Sequence, residues 1–369
     1  MHPPSVAVVS ASMKFNGMHE DALFFHRILT DYGCETSFYQ CVDRHQRSGF
    51  STFGNTLLGS RVFQGLLETA YNRFFTFPRE IGKLTEATVI VGEQTLLNAV
   101  GRRERIVMRI LDTLRLGHVD WQIPSPLSAK LATFLWHNTI ARRISMAEKM
   151  LVPSEFVRRQ LIALGANPSQ VSIVYSAIPE THANPLSGVE HKHPKSELIR
   201  FLYIAADRPH KNIRFFVDIA QELSRIRPGE FEFHLLSRLG SQTSSYLQAK
   251  KLPNFHVHSS LPDVSSLYEE CDILLHPSLY EGFGRPVAEA MSHGLAVIAN
   301  NTGPLPEISG DAGILCPVND KGAWIDAALK LSKRDVFATY SAKSITNASR
   351  FSIASVSKQL IPALSEYLT

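Results

Sequence analysis

Twice along this chain, short apolar runs alternate with segments of helical period, and that repetition limits its architecture more than any other feature. VAVVS (6–10) leads through a loop into a helical stretch over 19–32. CETSFYQC (34–41), ATVIVG (87–92), RIVMRIL (105–111), KMLVPS (149–154) and VSIVYS (171–176) follow as strands. Residues 128–150 read as helix, and the polar, glycine-containing stretch 44–62 as a long mobile loop. A second cycle opens with LIRFLYIA (198–205) and continues through FEFHLLS, NFHVHS, CDILLHPS, LAVIAN and GILCPV. Apolar strands separated by helices and loops in this way build parallel sheets covered by helices. Between the two cycles lies PETHANPLSGVEHKHPKS, polar and without periodicity, which reads as a linker.

The sequence therefore predicts two doubly wound α/β domains. The boundaries are 1–178 for the first, 179–196 for the linker, 197–345 for the second and 346–369 for a terminal helix. Ligands of such sheets sit at the carboxyl ends of the strands, and two facing arrays make a cleft. Local signals agree with this reading. Ser154, followed by Glu155, suits an N-cap for EFVRRQLIAL. Ile213, Phe216, Val217, Ala220 and Leu223 fall on one helical face. Pro362 predicts a kink in the last helix.

Charge and composition exclude several classes. A formal net charge of +4 over 369 residues is too small to point to nucleic acid. No apolar run approaches the roughly 18 residues of a membrane span, and MHPPSVAVVS lacks the basic start of a secretory signal. The four cysteines, at 34, 41, 271 and 316, have no Cys-x-x-Cys spacing and read as free thiols of a reducing cytoplasm. The excess basicity sits in residues 1–178, with 19 Lys and Arg against 14 Asp and Glu. There TAYNRFFTFPREIGKL (69–84) mixes Arg73, Arg79 and Lys83 with Phe74, Phe75 and Phe77, the composition of an interfacial segment. Half-buried aromatics on a helix of a cytoplasmic protein are the first reading, and peripheral contact of the first domain with the cytoplasmic membrane face is the alternative.

The chemistry concentrates in HPSLYEGFGRPVAEAMSHG (276–294). It follows a strand, and Pro286 suits the start of a helix. That places Glu281 in the loop and Glu289 in the first turn. Gly282 and Gly284 let a ligand approach the backbone, and the helix N-terminus favours anionic or hydroxyl-rich groups. A carboxylate accepts two hydroxyl hydrogen bonds in a fork that fits a vicinal diol, so two carboxylates suggest two diols. ADRPHKN (206–212) likewise joins a strand end to a helix and places Arg208 and Lys211 three residues apart. Two cations beside a helix N-terminus are unfavourable unless an anion sits there. The chain has no Asp-x-Asp and no His/Asp cluster with metal-ligand spacing along the sequence, so neither metal nor cofactor is expected.

Glu281 and Glu289, inside PSLYEGFGRPVAEAMSHGLAVIA, resemble the E-x7-E region of the retaining glycosyltransferases of family 4. The similarity extends through NTGPLPEISGDAGILCPVND (301–320), LPNFHVHSSLPDVSSLYEECDILLHPS (252–278) and KMLVPSEFVRRQLIALGANPSQVSIVYSAIPE (149–180). The resemblance implies a GT-B fold, two Rossmann-like domains facing a central cleft, with the terminal helix returning to the first. It implies that Glu289 binds the ribose of a nucleotide-diphosphate sugar. Glu281, with the backbone at Gly282, Phe283 and Gly284, would hold the donor sugar. Thr302, Gly303, Pro304 and Leu305 would lie near the diphosphate, Glu307 being either a cap or a ligand. Lys211 and Arg208 would neutralise the leaving group. The usual Gly-Arg of that loop is Ala205-Ala206 here, which leaves Arg208 to supply the guanidinium.

In the first domain Gly17 resembles the family's first glycine loop. Asp112 follows Leu111, which stands where relatives often carry histidine, so Asp112 is either a sugar contact or a cap. The implied activity is transfer of a hexosyl group, with mannose the first choice, to a hydroxyl of a glycan, lipid-linked or small-molecule acceptor. Retention would arise by attack on the face the diphosphate leaves. The alternatives are a nucleotide-sugar epimerase, for which no clear pair of general bases is present, and a non-catalytic sugar-nucleotide-binding subunit.

Overall fold

The computed structural model describes residues 4–10, 17–40, 88–91, 106–113, 144, 148–179, 198–261 and 263–368. The chain divides into two compact units, residues 1–175 with 357–369, and residues 176–356. The segments 44–62 and 69–84, nearly all of 128–150, and the linker beyond residue 179 lie outside the described residues.

The first unit holds β1 (Ser5–Ser10), α1 (Gly17–Asp31), β2 (Glu35–Gln40), β3 (Thr88–Val91), β4 (Ile106–Arg109), β5 (Lys149–Val152), α2 (Glu155–Ala163) and β6 (Val171–Ile173). Its strands form one parallel sheet in the order β2-β1-β3-β4-β5-β6. Every residue of β4 is buried, as expected of an apolar strand covered on both faces. One of them is Arg109. Its guanidinium grips Asp21 of α1 through two bonds, Nε to Oδ2 at 2.8 Å and Nη2 to Oδ1 at 3.0 Å. A third bond goes from Nη1 to the Val174 carbonyl at 2.6 Å, and the group lies over the Phe25 ring. Both charged side chains are 2% exposed. A forked ion pair of this kind satisfies the donors that burial strips of water.

Ser154 caps α2 as its sequence predicts, accepting from the Val157 amide at 3.2 Å. Ser154→Ala is expected to cost about 1 kcal/mol, read as a fall in urea midpoint with an unchanged slope.

The second unit holds β7 (Ile199–Ile204), α3 (Ile213–Ile226), β8 (Phe231–Leu236), α4 (Ser241–Lys250), β9 (Phe255–His258), α5 (Ser265–Glu270), β10 (Ile273–His276), α6 (Arg285–Ser292), β11 (Ala296–Asn300), α7 (Leu305–Ser309), β12 (Gly313–Cys316), α8 (Lys321–Leu331) and α9 (Arg334–Ala348). Its parallel sheet runs β12-β11-β10-β7-β8-β9. The predicted face of α3 is buried, with Ile219 joining it. It packs on a ladder of rings from successive strands, Phe201 on Phe233 with centroids 5.2 Å apart and Phe233 on Phe255 at 6.3 Å. Trp324 of α8 closes the same core, fully buried, its indole N–H donating to the Pro317 carbonyl at 2.9 Å.

The last helix, α10 (Ile353–Ala363), continues into the residues grouped with the first unit. There Gln359 accepts from the Tyr175 amide at 2.9 Å. Pro362 lies in its final turn, where the helix is already ending, rather than in a kinked interior. Cys34, Cys271 and Cys316 are free and buried, while Cys41 lies outside the described residues.

Candidate active site at the strand-order reversal of the second sheet

In the second sheet the chain starts at β7, builds outward through β8 and β9, then returns to add β10, β11 and β12 on the other side. β7 and β10 are therefore neighbours, and the loops leaving their carboxyl ends diverge to opposite sides. Such a reversal opens a crevice where α/β sheets bind ligands.

The two loops are tied together. The Leu279 amide donates to the His210 carbonyl at 2.7 Å, and Asn212 Nδ2 donates to the Pro277 carbonyl at 3.4 Å. After β7 the chain makes one 3₁₀ turn, Pro209–Lys211, and leaves it through Asn212 at φ 54°. The Tyr203 hydroxyl donates to the Lys211 carbonyl and fixes that turn over the strand. Lys211 Nζ then lies 2.6 Å from Glu281 Oε1. His276, the last residue of β10, places Nε2 3.0 Å from the same oxygen. An ionised carboxylate only accepts, so Nε2 carries the proton of that bond. His276 Nδ1 is buried without a hydrogen-bond partner.

Burial alone would raise the pKa of Glu281. The Lys211 charge and the His276 bond outweigh it and hold the carboxyl far below the ordinary range. Burial, then the neighbouring Lys211 charge, lowers His210 to about 4. Both groups have depressed values in the folded chain, so the stability they are linked to is present at high pH and lost on acidification. For His210 the loss begins below its ordinary value of about 6.5, and for Glu281 below about 4.3. Glu281→Gln is expected to lower stability at neutral pH and to flatten the slope below pH 4.3, read by thermal melts across pH. An unchanged slope would contradict the pairing.

Glu289 falls just past the first turn of α6, one residue further in than its sequence context predicts. The helix begins at Arg285 with Pro286 second, and its first turn contains no acidic residue. The carboxylate is oriented by the Tyr268 hydroxyl, 2.9 Å from Oε2, and by Arg285 Nη2, 3.0 Å from Oε1. Arg285 Nη1 also donates to the Ala177 carbonyl at 3.1 Å, and the Tyr268 ring stacks on His293.

The glycine turn between the two glutamates has a steric cause. Gly284 adopts φ 96°, and a Cβ there would stand 2.8 Å from Leu305 Cδ2. Loop 282–284 is thus pressed against loop 302–305, in which Gly303 also has a positive φ of 59°. Gly284→Ala combines left-handed strain with that clash, so a loss of about 1–3 kcal/mol is expected. A melting temperature within a degree of the parent would overturn the close-approach explanation.

The remaining predicted residues divide plainly. Gly282 is buried, and the Phe283 ring packs edge-on to Phe351 at 5.2 Å, which leaves only its backbone for a ligand. The Thr302 amide donates to the Asn300 carbonyl, and Pro304 and Leu305 are buried as α7 begins. Arg208 is exposed, with extended backbone before the 3₁₀ turn. Gly17 opens α1, and Asp112 lies half-buried three residues past β4, both in the first unit.

Several residues at this site escaped sequence reasoning. His276 could have been suspected from its place at a strand end beside Pro277. Tyr203, Tyr268 and Arg285 carry no such signal. Asp207 passed as part of a polar loop, yet it accepts from the Gly240 amide at 2.7 Å and Thr243 at 3.0 Å, pinning the loop after β8 to the one after β7.

Solved structures of low sequence identity share this architecture. An Anabaena HepE protein in complex with UDP and glucose aligns with a TM-score of 0.68 over 99% of this chain and 100% of that one, at 17% identity. A sucrose-phosphate synthase from Thermosynechococcus elongatus aligns at 0.69 over 98% of each chain, at 14% identity. The two parallel sheets are the Rossmann-like domains of the GT-B fold. Residues 199–334 match the family described as Glycosyl transferases group 1. Among curated relatives, the O-antigen chain mannosyltransferase B of Escherichia coli is 27% identical over 232 residues, 60% of this chain and 61% of that one. The MMP alpha-(1->4)-mannosyltransferase of Mycolicibacterium hassiacum is 28% identical over 190 residues, 48% and 46% respectively. The chain thus spans about half to three fifths of the length of these relatives.

Proposed function

We propose that this protein is a retaining glycosyltransferase that moves a hexosyl group, mannosyl first among the candidates, from a nucleotide-diphosphate sugar to a hydroxyl of a glycan or lipid-linked acceptor. The observation that carries this reading is the buried Lys211–Glu281–His276 contact at the carboxyl ends of β7 and β10, where the strand order reverses. Two mannosyltransferases among the relatives support the sugar, and the UDP and glucose bound by the Anabaena protein support the donor class.

Glu289, fixed by Tyr268 and Arg285, takes the ribose hydroxyls. Glu281, kept ionised, takes hydroxyls of the donor sugar alongside the backbone of residues 282–284. An ammonium has three donors, so Lys211 can hold Glu281 and a phosphate oxygen together. Arg208 reaches the same diphosphate from the exposed side of the turn, and Thr302, Gly303, Pro304 and Leu305 line its other flank. The acceptor hydroxyl passes its proton to a departing phosphate oxygen and attacks from the face that oxygen leaves. The sugar's anomeric carbon exchanges one C–O bond for another, with configuration kept. No enzyme nucleophile is required, and catalysis lies in positioning and in neutralising the leaving group. Gly17 and Asp112 would serve the sugar from the first domain.

Among the described residues no helix is long and apolar enough to cross a membrane. Peripheral membrane contact through 69–84 remains part of the proposal, on the sequence composition alone.

Incubation with a panel of nucleotide-diphosphate hexoses and a mannoside acceptor tests the reading. Expected are release of nucleoside diphosphate, an α-linked product from an α-linked donor, and a rate unchanged by EDTA well below the melting temperature. A β-linked product would overturn retention. Epimerised donor without transfer would establish the rival enzyme, and binding without turnover the non-catalytic subunit.

A further inference from the structure

The second sheet ends on a short edge strand whose polar residues face the same way as those of its neighbour. In β8, Glu232 and His234 are two residues apart and so share one face, opposite Phe231, Phe233 and Leu235 of the core. The parallel register sets His234 directly beside His256 of β9, and Leu236 beside His258. Three imidazoles and a carboxylate consequently gather on one patch of the β8–β9 ladder. The His234 and His256 rings are 5.0 Å apart, and His234 and His258 stack at 5.4 Å with His234 Nδ1 3.2 Å from His258 Nε2.

One ligand atom from each of Glu232, His234 and His256 lies within 4.8 Å of the others. His234 is 8% exposed, and its Nε2 is buried without a hydrogen-bond partner, 3.8 Å from Glu232 Oε2. A buried ring nitrogen left without a partner normally calls for an explanation. A tetrahedral zinc ion with bonds of roughly 2.0–2.1 Å holds its ligand atoms about 3.3 Å apart. The cluster needs only a small contraction to reach this, and its outer members can supply it. His256 is exposed and Glu232 half-exposed, so both have room to turn.

We propose that Glu232, His234 and His256 form a binding site for a divalent transition metal of the zinc class, bridging β8 and the edge strand β9. Two imidazoles and one carboxylate suit zinc, and oxygen-seeking magnesium or calcium far less. Arg200 Nε, 3.0 Å from Glu232 Oε2, is the outer partner that orients the carboxylate. His258 either supplies the fourth ligand or fixes the His234 tautomer through its bond to Nδ1. The ion ties the exposed edge strand to the sheet. It takes no part in the transfer at β7 and β10, so the site stands whether or not the proposed activity does.

The test is titration of the metal-stripped full chain with Zn2+, followed by calorimetry and by melting temperature, with Co2+ as a visible probe. One equivalent is expected to bind and raise the melting temperature. His256→Ala, at an exposed ring whose removal leaves the core intact, is expected to weaken binding at least tenfold. Glu232→Gln should weaken it in the same direction. The chain also carries Glu190, His191 and His193 close together in sequence, and His191→Ala/His193→Ala is expected to leave the strong site unchanged. The proposal fails if the parent binds no Zn2+, if His256→Ala binds like the parent, or if the double variant at 191 and 193 removes the binding.

Discussion

Lys211→Met is expected to lower the rate of hexosyl transfer about 10²–10³-fold, the usual cost of removing one preorganised group that stabilises leaving charge. The ammonium is held by its own backbone turn, by the Tyr203 hydroxyl beneath that turn and by Glu281 at 2.6 Å, so it needs no reorganisation when charge develops. Its side chain is 20% exposed and that of Glu281 10% exposed, and the pair is partly shielded from salt. Removing the lysine also strands the Glu281 carboxylate, so part of the effect will be structural. The double variant Lys211→Met/Glu281→Gln separates the two. It should regain stability relative to the single lysine variant, by a coupling of about 0.5–3 kcal/mol, without regaining transfer. A Lys211→Met enzyme that keeps more than a tenth of the parental rate would remove Lys211 from the chemistry.

The largest stability effect is expected in the other unit. Arg109→Met breaks a bidentate pair whose members are each 2% exposed, and leaves Asp21 buried without a counter-charge. Such a loss costs about 3–5 kcal/mol, with the Val174 carbonyl losing its donor as well. Replacing both partners, Arg109→Met with Asp21→Leu, should recover most of that loss, because two apolar side chains need no desolvation of charge. Hydrogen exchange on peptides covering β1, α1 and β4 reads the first unit by itself and avoids assuming a single transition for a two-unit chain. Protection unchanged in Arg109→Met would contradict a structural role for the pair.

These two sites show what a linear reading reaches. The alternation of apolar runs was enough to predict both sheets, because each strand advertises itself by its own composition. Lys211 and Glu281 were both legible as residues at strand ends followed by helices. Their contact across 70 positions was not, since it depends on β10 returning beside β7. Arg109 read as an ordinary member of an apolar strand, because nothing near it in sequence reveals Asp21 beneath it, 88 positions away. Glu289 lies one residue deeper in the helix than its context predicts, since Pro286 occupies the second helical position and the capping residue is Gly284. The histidines of β8 and β9 show no ligand spacing along the chain. They become a cluster only through the register that pairs His234 with His256.

The central claim is that one nucleotide-diphosphate sugar is gripped by Glu289 at its ribose, by Glu281 at its hexose and by Lys211 between them. Saturation-transfer difference NMR with a nucleotide-diphosphate mannose, on the parent and on Glu289→Gln and Glu281→Gln, measures those contacts separately. The account expects ribose protons to lose saturation in Glu289→Gln while hexose protons keep theirs, and the reverse in Glu281→Gln. Equal saturation of both sugar rings in all three proteins would contradict it.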